Sequence, residues 1–218
     1  MIQPDTHPVP YQFTSISTHI YNHLKMEILD GKLQPGDRLL VMDVARTFSV
    51  SQAPVREALE RLKQEGLILS RPNKGSVVSD ITPAQIRDIF VIRAMLEGYA
   101  VREAMPHLTP ADYDTLSRMV TEMGNTVARN DRLGTLQLDM DFHGFFYGKC
   151  GNHFALATWD RMKMLVMRFM AISNRTYDTH VLSGAHSRLI EVVRSGDADA
   201  AEQMFVAHMA AYRTLQTP

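Results

Sequence analysis

A single cysteine, Cys150, stands among 218 residues, so no disulfide can form within the chain. That absence fits a reducing compartment, and a small packed residue is the expected role of Cys150. No apolar run approaches the roughly 20 residues that a membrane-spanning helix needs. The first residues, Met1-Ile2-Gln3-Pro4-Asp5-Thr6-His7-Pro8, lack the basic start and apolar stretch of a secretory signal. Together these absences predict a soluble, cytoplasmic protein with no membrane partner. Charge of one sign is also lacking: 23 basic residues against 24 acidic ones leave a formal net charge of −1. No global field advertises a nucleic acid, so any such interface has to be local. There is no repeat, no low-complexity tract, no phosphate loop, and no nucleophile with a partner base. The last two gaps argue against an enzyme.

What is present suits a globular fold. Hydrophobic residues make up 45% and charged residues 22%, enough for one large domain or two small ones. Residues 1–14, rich in proline and polar groups, read as a flexible arm. From Ser15 a helical pattern sets in, with Ile16, Ile20, Leu24 and Ile28 expected on one buried face. Asp30-Gly31 ends it, with Gly31 suited to a left-handed cap, and Pro35-Gly36 marks a turn. Two short helices follow. Val41, Val44, Ala45 and Phe48 form the apolar face of the first. Val55, Ala58, Leu59 and Leu62 form that of the second, which Ser51 can cap and Pro54 can enter in its first turn. Leu67-Ile68-Leu69 and Ser76-Val77-Val78 then read as a hairpin around the basic tip Arg71-Pro72-Asn73-Lys74-Gly75.

That order, helix, short helix, tight turn, helix, hairpin, predicts a winged helix-turn-helix over 15–80. Such a module lays its second short helix in the DNA major groove. Ser51, Gln52, Ala53 and Arg56 stand near the start of that helix. Glutamine can pair with adenine, while arginine serves guanine or phosphate. Between Arg38 and Gly75, seven bases (Arg38, Arg46, Arg56, Arg61, Lys63, Arg71, Lys74) face four acids (Asp43, Glu57, Glu60, Glu65). The local balance is therefore +3, and a modest basic face suffices for phosphate contacts. The candidate DNA contacts are Arg38, Arg46, Ser51, Gln52, Ala53, Arg56, Lys74 and Gly75.

Over about 60 residues this segment resembles the GntR family of regulators. The resemblance rests on Gly31-Lys32-Leu33-Gln34-Pro35-Gly36-Asp37-Arg38-Leu39, on Val50-Ser51-Gln52-Ala53-Pro54-Val55-Arg56-Glu57-Ala58-Leu59, on Leu62 with Glu65-Gly66-Leu67, and on Gly75. It implies that Arg56 contacts DNA and that Gly75 is a wing glycine approaching the minor groove. Two positions depart. Gln52 stands where that family usually has arginine, and Met42 where a polar or charged residue is common. Both bear on which operator is read.

At Thr82 the pattern changes. Thr82-Pro83-Ala84-Gln85 is a capping box with proline at the first helical position. A domain boundary is placed there, and 82–218 is expected to be all helical, with spans 83–105, 110–128, 132–148, 153–175, 183–195 and 198–215. The predicted fold class is mainly α: an N-terminal winged helix-turn-helix with a small β-hairpin wing, then a C-terminal all-α bundle. Six of the nine histidines (His7, His19, His23, His107, His153, His180) show no ligand spacing. The other three do. Asp139 and His143 are four apart and share a helical face. His186 lies 9 residues before Ser195 and His208 lies 11 after Asp197. At about 1.5 Å per residue they stand about 14 and 16 Å from the turn between the last two helices, at nearly the same level. If all four groups face one interior, three nitrogens and an oxygen converge. Such a set suits a divalent metal, Zn²⁺ first, with Ni²⁺ or Mn²⁺ also compatible.

The second half resembles the FadR-type ligand-binding (FCD) domain of GntR regulators over about 83–215. Its marks are Arg93-Ala94-Met95-Leu96-Glu97, Asp139-Met140-Asp141-Phe142-His143 followed by Gly151-Asn152, and His186, Gly196-Asp197, Ala201 and His208. The resemblance implies that Asp139, His143, His186 and His208 ligate the metal. Ala185 departs, standing where glutamate often precedes the histidine. The resemblance further implies a small organic acid or related metabolite bound at or beside the metal, and Arg93 is the candidate clamp. Pairing of Arg93 with Glu97 one turn away is the alternative for that side chain. Arg102, Arg168 and Arg175 are lesser candidates. The expectation is a homodimeric regulator, a repressor released by its effector, on a near-palindromic double-stranded operator. Two other readings stay open: a helical metalloenzyme carrying an accessory DNA-binding module, and a regulator whose metal is purely structural.

Overall fold

The computed structural model describes residues 15–80, 82–173 and 182–210. The arm at 1–14, His180, Arg175 and the end of the last expected helix lie outside the described residues. The first described element is helix α1 (Ile16–Leu29), capped by Ser15, whose hydroxyl accepts from the Thr18 amide. Ile20, Leu24 and Ile28 are buried as the four-residue spacing requires. Ile16 is not: it sits in the first turn, beyond the edge of the core, and is 58% exposed. Helices α2 (Val41–Phe48) and α3 (Gln52–Gln64) follow. Between them Ser49 closes α2 in a left-handed conformation, φ 54°, one that short polar residues tolerate better than branched ones. Ser51 occupies the cap position of α3, but its side chain makes no capping bond.

The wing is a three-stranded antiparallel sheet rather than a lone hairpin. Strands β2 (Ile68–Arg71) and β3 (Gly75–Val78) pair with Arg71 opposite Gly75, and a two-residue strand β1 (Arg38–Leu39) lies on the far side of β3. Leu39 goes into the core there. Two residues are too few to show an alternation, which is why β1 has no signature in the sequence.

Six further α-helices follow: α4 (Pro83–Ala104), α5 (Pro110–Ala128), α6 (Arg132–Lys149), α7 (His153–Ser173), α8 (Leu182–Arg194) and α9 (Ala198–Ala210). Thr82 and Thr109 each form a full capping box, with Gln85 and Asp112 as reciprocal partners. Helix α4 packs on α6, α7 and α9, while α5 packs on α6 and α8. The core of this bundle holds Phe90, Phe142, Phe146, Tyr147, Trp159 and Phe205. Among the described residues no helix is long and apolar enough to cross a membrane.

Helix α7 also touches the N-terminal elements. A Cβ on Gly66, which follows the end of α3 at φ +71°, would lie 3.0 Å from Leu165 Cδ2. Nearby, the buried Arg168 donates from Nη1 to Ser79 Oγ, and the Ser79 hydroxyl donates to the Gly66 carbonyl at 2.5 Å.

Candidate metal centre and nucleic-acid interface

Asp139 and His143 stand one turn apart on the inner face of α6, a helix capped by the Asp131 carboxylate on the Gly134 amide. His186 comes from α8 and His208 from α9. The turn joining α8 to α9 contains Gly196 at φ +78°, and it folds the two helices against each other. The two imidazoles therefore meet at one level, ring centroids 4.9 Å apart, and His208 also stacks on His143 at 5.4 Å. One potential ligand atom from each of the four residues lies within 4.8 Å of all the others. Asp139, His143 and His186 are fully buried, and His208 is half-buried.

The hydrogen bonds behind the cluster decide which ring nitrogens face it. His143 Nδ1 lies 2.5 Å from Glu97 Oε1, and His186 Nδ1 lies 2.9 Å from the Leu182 carbonyl. Both partners are acceptors, so Nδ1 carries the proton in each ring. Against its burial, Glu97 and Asp139 push His143 up, so without an ion its Nε2 can hold a second proton; with a cation in place, Nε2 of each ring presents a lone pair. These lone pairs point toward the Asp139 carboxylate, 3.6 Å from His143 Nε2 and 2.9 Å from His186 Nε2. The shorter contact lacks hydrogen-bond alignment: Asp139 Oδ1 and Oδ2, His143 Nε2 and His186 Nε2 are all buried with no hydrogen-bond partner. Buried acceptors facing one another with nothing between them are costly. A cation at their centre removes that cost, and the donor set, three imidazoles and one carboxylate, fits a divalent transition metal. These four residues can hold such an ion.

Electrostatics reinforces the arrangement. Burial pushes the Asp139 carboxyl up, but the adjoining His143 and His186 imidazoles outweigh it and hold the group well below the usual carboxylate range. Burial, then the neighbouring His143 and His186, pushes His208 down to about 2, which keeps its imidazole neutral. Glu97 is also fully buried. His143 first, then Arg93, overcomes the burial and keeps it ionised.

Glu97 was not singled out by the sequence as a site residue. It appeared there as part of the Arg93–Glu97 stretch that carries the resemblance and as a turn-neighbour of Arg93. Its bond to His143 spans 46 residues, and no local pattern announces such a contact. Arg93 donates from Nε to Glu97 Oε2 at 3.4 Å, while Nη1 and Nη2 are buried with no hydrogen-bond partner. Its guanidinium lies 5.2 Å from the Trp159 ring and 5.8 Å from Phe90. Arg93 thus reaches the cluster through Glu97, and two of its nitrogens remain unused. The lesser arginines are placed elsewhere. Arg102 pairs with Glu202 at 2.5 Å and with Asp199, and Arg168 bonds Ser79.

At the other end of the molecule, Val55, Ala58, Leu59 and Leu62 fix α3 in the core. Ser51, Gln52, Ala53 and Arg56 are left exposed at its N-terminal end. Arg56 Nη2 donates to Gln52 Oε1 at 2.9 Å, so the two residues act as one polar unit. An open groove beside them is lined by Met42, Ala45, Arg46, Ser49, Val50, Ser51 and Gln52. Arg46 leans on Asp43 at 3.3 Å. Arg38 donates to the Asn73 carbonyl in the wing turn at 3.1 Å, and Lys74 and Gly75 are exposed beside it, Gly75 at φ +72°.

Comparison with known proteins agrees with this layout. Residues 16–78 match the model of bacterial regulatory proteins of the gntR family, and residues 88–211, over half of the chain, match the FCD domain. The chain is 26% identical over 204 residues to the uncharacterized HTH-type transcriptional regulator YdhC of Bacillus subtilis, covering 92% of this chain and 88% of that protein. It is 28% identical over 195 residues to the HTH-type transcriptional repressor RspR of Escherichia coli, covering 89% and 86%. The solved structure of E. coli McbR/YncC shares the fold, with a TM-score of 0.75 at 21% identity over 92% of this chain and 96% of that one. These families and relatives are transcriptional regulators, not enzymes. With a DNA-binding helix-turn-helix ahead of an FCD domain, the chain belongs to the GntR family of bacterial transcriptional regulators.

Proposed function

We propose that this regulator is a cytoplasmic homodimeric repressor whose grip on a near-palindromic operator is set by a small organic acid bound beside a metal ion. In this reading the chain divides at residue 82. An arm (1–14) and a DNA-binding module (15–80) precede a sensor module (82–218). Arg38, Arg46, Ser51, Gln52, Ala53, Arg56, Lys74 and Gly75 meet the DNA. Asp139, His143, His186 and His208 hold the ion, Zn²⁺ before Ni²⁺ or Mn²⁺. The name of RspR, a repressor, supports the sign of the regulation.

The observation that carries the proposal is the convergence of four ligand atoms within 4.8 Å, with orphaned lone pairs on two buried imidazoles. A bound divalent ion supplies a positive centre that attracts carboxylate oxygen. Glu97 holds His143 in the tautomer that faces that centre, and Arg93 offers two unsatisfied buried N–H groups to a second carboxylate oxygen. An effector shifts DNA affinity only if it binds the DNA-competent and incompetent states unequally.

The test is to measure metal content and operator affinity together. His208→Ala should lower the metal content as purified and the melting temperature, since an ion bound to the folded state stabilises it. Equal metal stoichiometry in variant and parent would reject the site. The burial of three of the four ligands also suits a purely structural ion. Titrating small carboxylic acids into metal-loaded protein on operator DNA separates the readings, because a structural ion leaves DNA affinity unresponsive.

A further inference from the structure

Helix α4 keeps one side uncovered. Ile92, Met95 and Tyr99 are 49%, 66% and 38% exposed at spacings of three and four residues, so they form one outward stripe. The rest of the helix is packed on α6, α7 and α9. The stripe is widened on both flanks. On one, Phe154, 87% exposed in the first turn of α7, is tied to it through Asn152. The Asn152 side chain donates to Tyr99 Oη at 3.0 Å and accepts from the Phe154 amide at 3.0 Å. On the other, the partly exposed Val206 lies against Gly98, whose added Cβ would meet Val206 Cγ2 at 3.0 Å. A contiguous apolar patch of this kind marks an interaction surface.

The charges at its ends say what covers it. Arg87 and Asp88 stand before the stripe, and Arg102 and Glu103 after it. Among the described residues Arg87, Asp88 and Glu103 have no ion-pair partner in the chain. Take Met95 as the centre: Asp88 and Arg102 lie seven residues either side of it, and Arg87 and Glu103 lie eight. A second α4 running antiparallel, with a two-fold axis at Met95, therefore sets Asp88 against Arg102 of the partner subunit and Arg87 against Glu103 of the partner subunit. Each match occurs twice, because the contact is isologous. A parallel pairing would set each charge against its own kind. At about 1.5 Å per residue the matched stretch is about 24 Å long, enough for two helices to seat the apolar centre between charged ends.

We infer that this face of α4 is where two copies of the chain meet, antiparallel about an axis at Met95. The inference rests on the homodimer reading above and adds to it the surface and the register. Arg102 is already engaged by Glu202 and Asp199, so Arg87 and Glu103 carry the charge test.

Sedimentation equilibrium of the full chain, with Arg87→Glu, Glu103→Arg and the double variant, reads the register. Each single reversal turns two attractive pairs into two repulsive ones and should weaken dimerisation about tenfold. The double variant should return to within about threefold of the parent, since it restores opposite charges. Met95→Cys under mild oxidation should give a disulfide-linked dimer on a non-reducing gel. The parent, whose one thiol is buried, should give none. A parent dimer indifferent to the reversals, with no cross-link in the Met95→Cys variant, overturns this interface and leaves the homodimer reading standing. A parent that is monomeric at micromolar concentration overturns both.

Discussion

At the scale of single residues, the candidate metal cluster depends on groups that never touch its centre. Glu97 fixes the tautomer of His143, and Tyr147 and Arg93 in turn approach Glu97. Glu97→Gln keeps the size of the side chain and removes the charge that holds the Nδ1 proton. Metal affinity should fall about 10–100-fold while the four ligands remain, which competition with a chromogenic chelator would measure. On the DNA side, Arg56→Ala should weaken operator binding by about 1–3 kcal/mol if Arg56 reads a base. Because Arg56 holds Gln52, the loss should concentrate at the base pair Gln52 faces, and binding to single-site operator variants would reveal it. The convergence of Asp139, His143, His186 and His208 was legible in the sequence because helical geometry is regular. Four residues fix a shared face, and equal distances from a turn fix a shared level. Glu97 was not, since its contact with His143 is set by how α4 and α6 pack.

At the scale of elements, the helix starts were the most legible features. Thr82, read from the sequence as a cap, accepts the Gln85 amide; Thr109, Asp131 and Asp197 accept backbone N–H groups in the same way, whereas Ser51 makes no capping bond. The strand β1 and the exposed Ile16 were not legible. One owes its existence to an available edge of β3, and the other lies one turn beyond the core its spacing points to. The capping box of α5 makes a pH prediction. Lys149 first, then the Thr109 amide and hydroxyl, hold Asp112 at about 2, against an ordinary 3.8. A carboxyl depressed on folding contributes stability above its unfolded value and loses it as the pH falls toward the folded one. Asp112→Asn should therefore lower the melting temperature at neutral pH. The difference from the parent should shrink between about pH 4 and pH 2 as Asp112 is protonated, which melting curves across that range would show.

At the scale of the whole molecule, α7 connects the two ends. Its first half lies beside Arg93 and Tyr147 through Trp159, and its second half meets Gly66 and Ser79 just past the end of α3. Arg168→Met removes the guanidinium that holds Ser79 and keeps an unbranched stem in its place. If this contact carries the coupling, metal content should be unchanged while operator affinity responds less to chelator than in the parent. Anisotropy titrations with and without chelator would show it. The sequence reading placed Arg168 among the lesser ligand candidates. Its contact with Ser79, 89 residues away in the chain, emerges only when the fold is assembled.

Trp159 is the only tryptophan in the chain. It stacks on Tyr147 at a centroid distance of 4.9 Å and lies 5.2 Å from the Arg93 guanidinium. Both neighbours contact the carboxylate that steers His143. Light that excites indole alone is therefore absorbed at one address, two contacts from the carboxylate behind the candidate ion's ligand His143. The molecule carries a built-in optical gauge of that network, readable without a dye and while the far end is occupied by duplex.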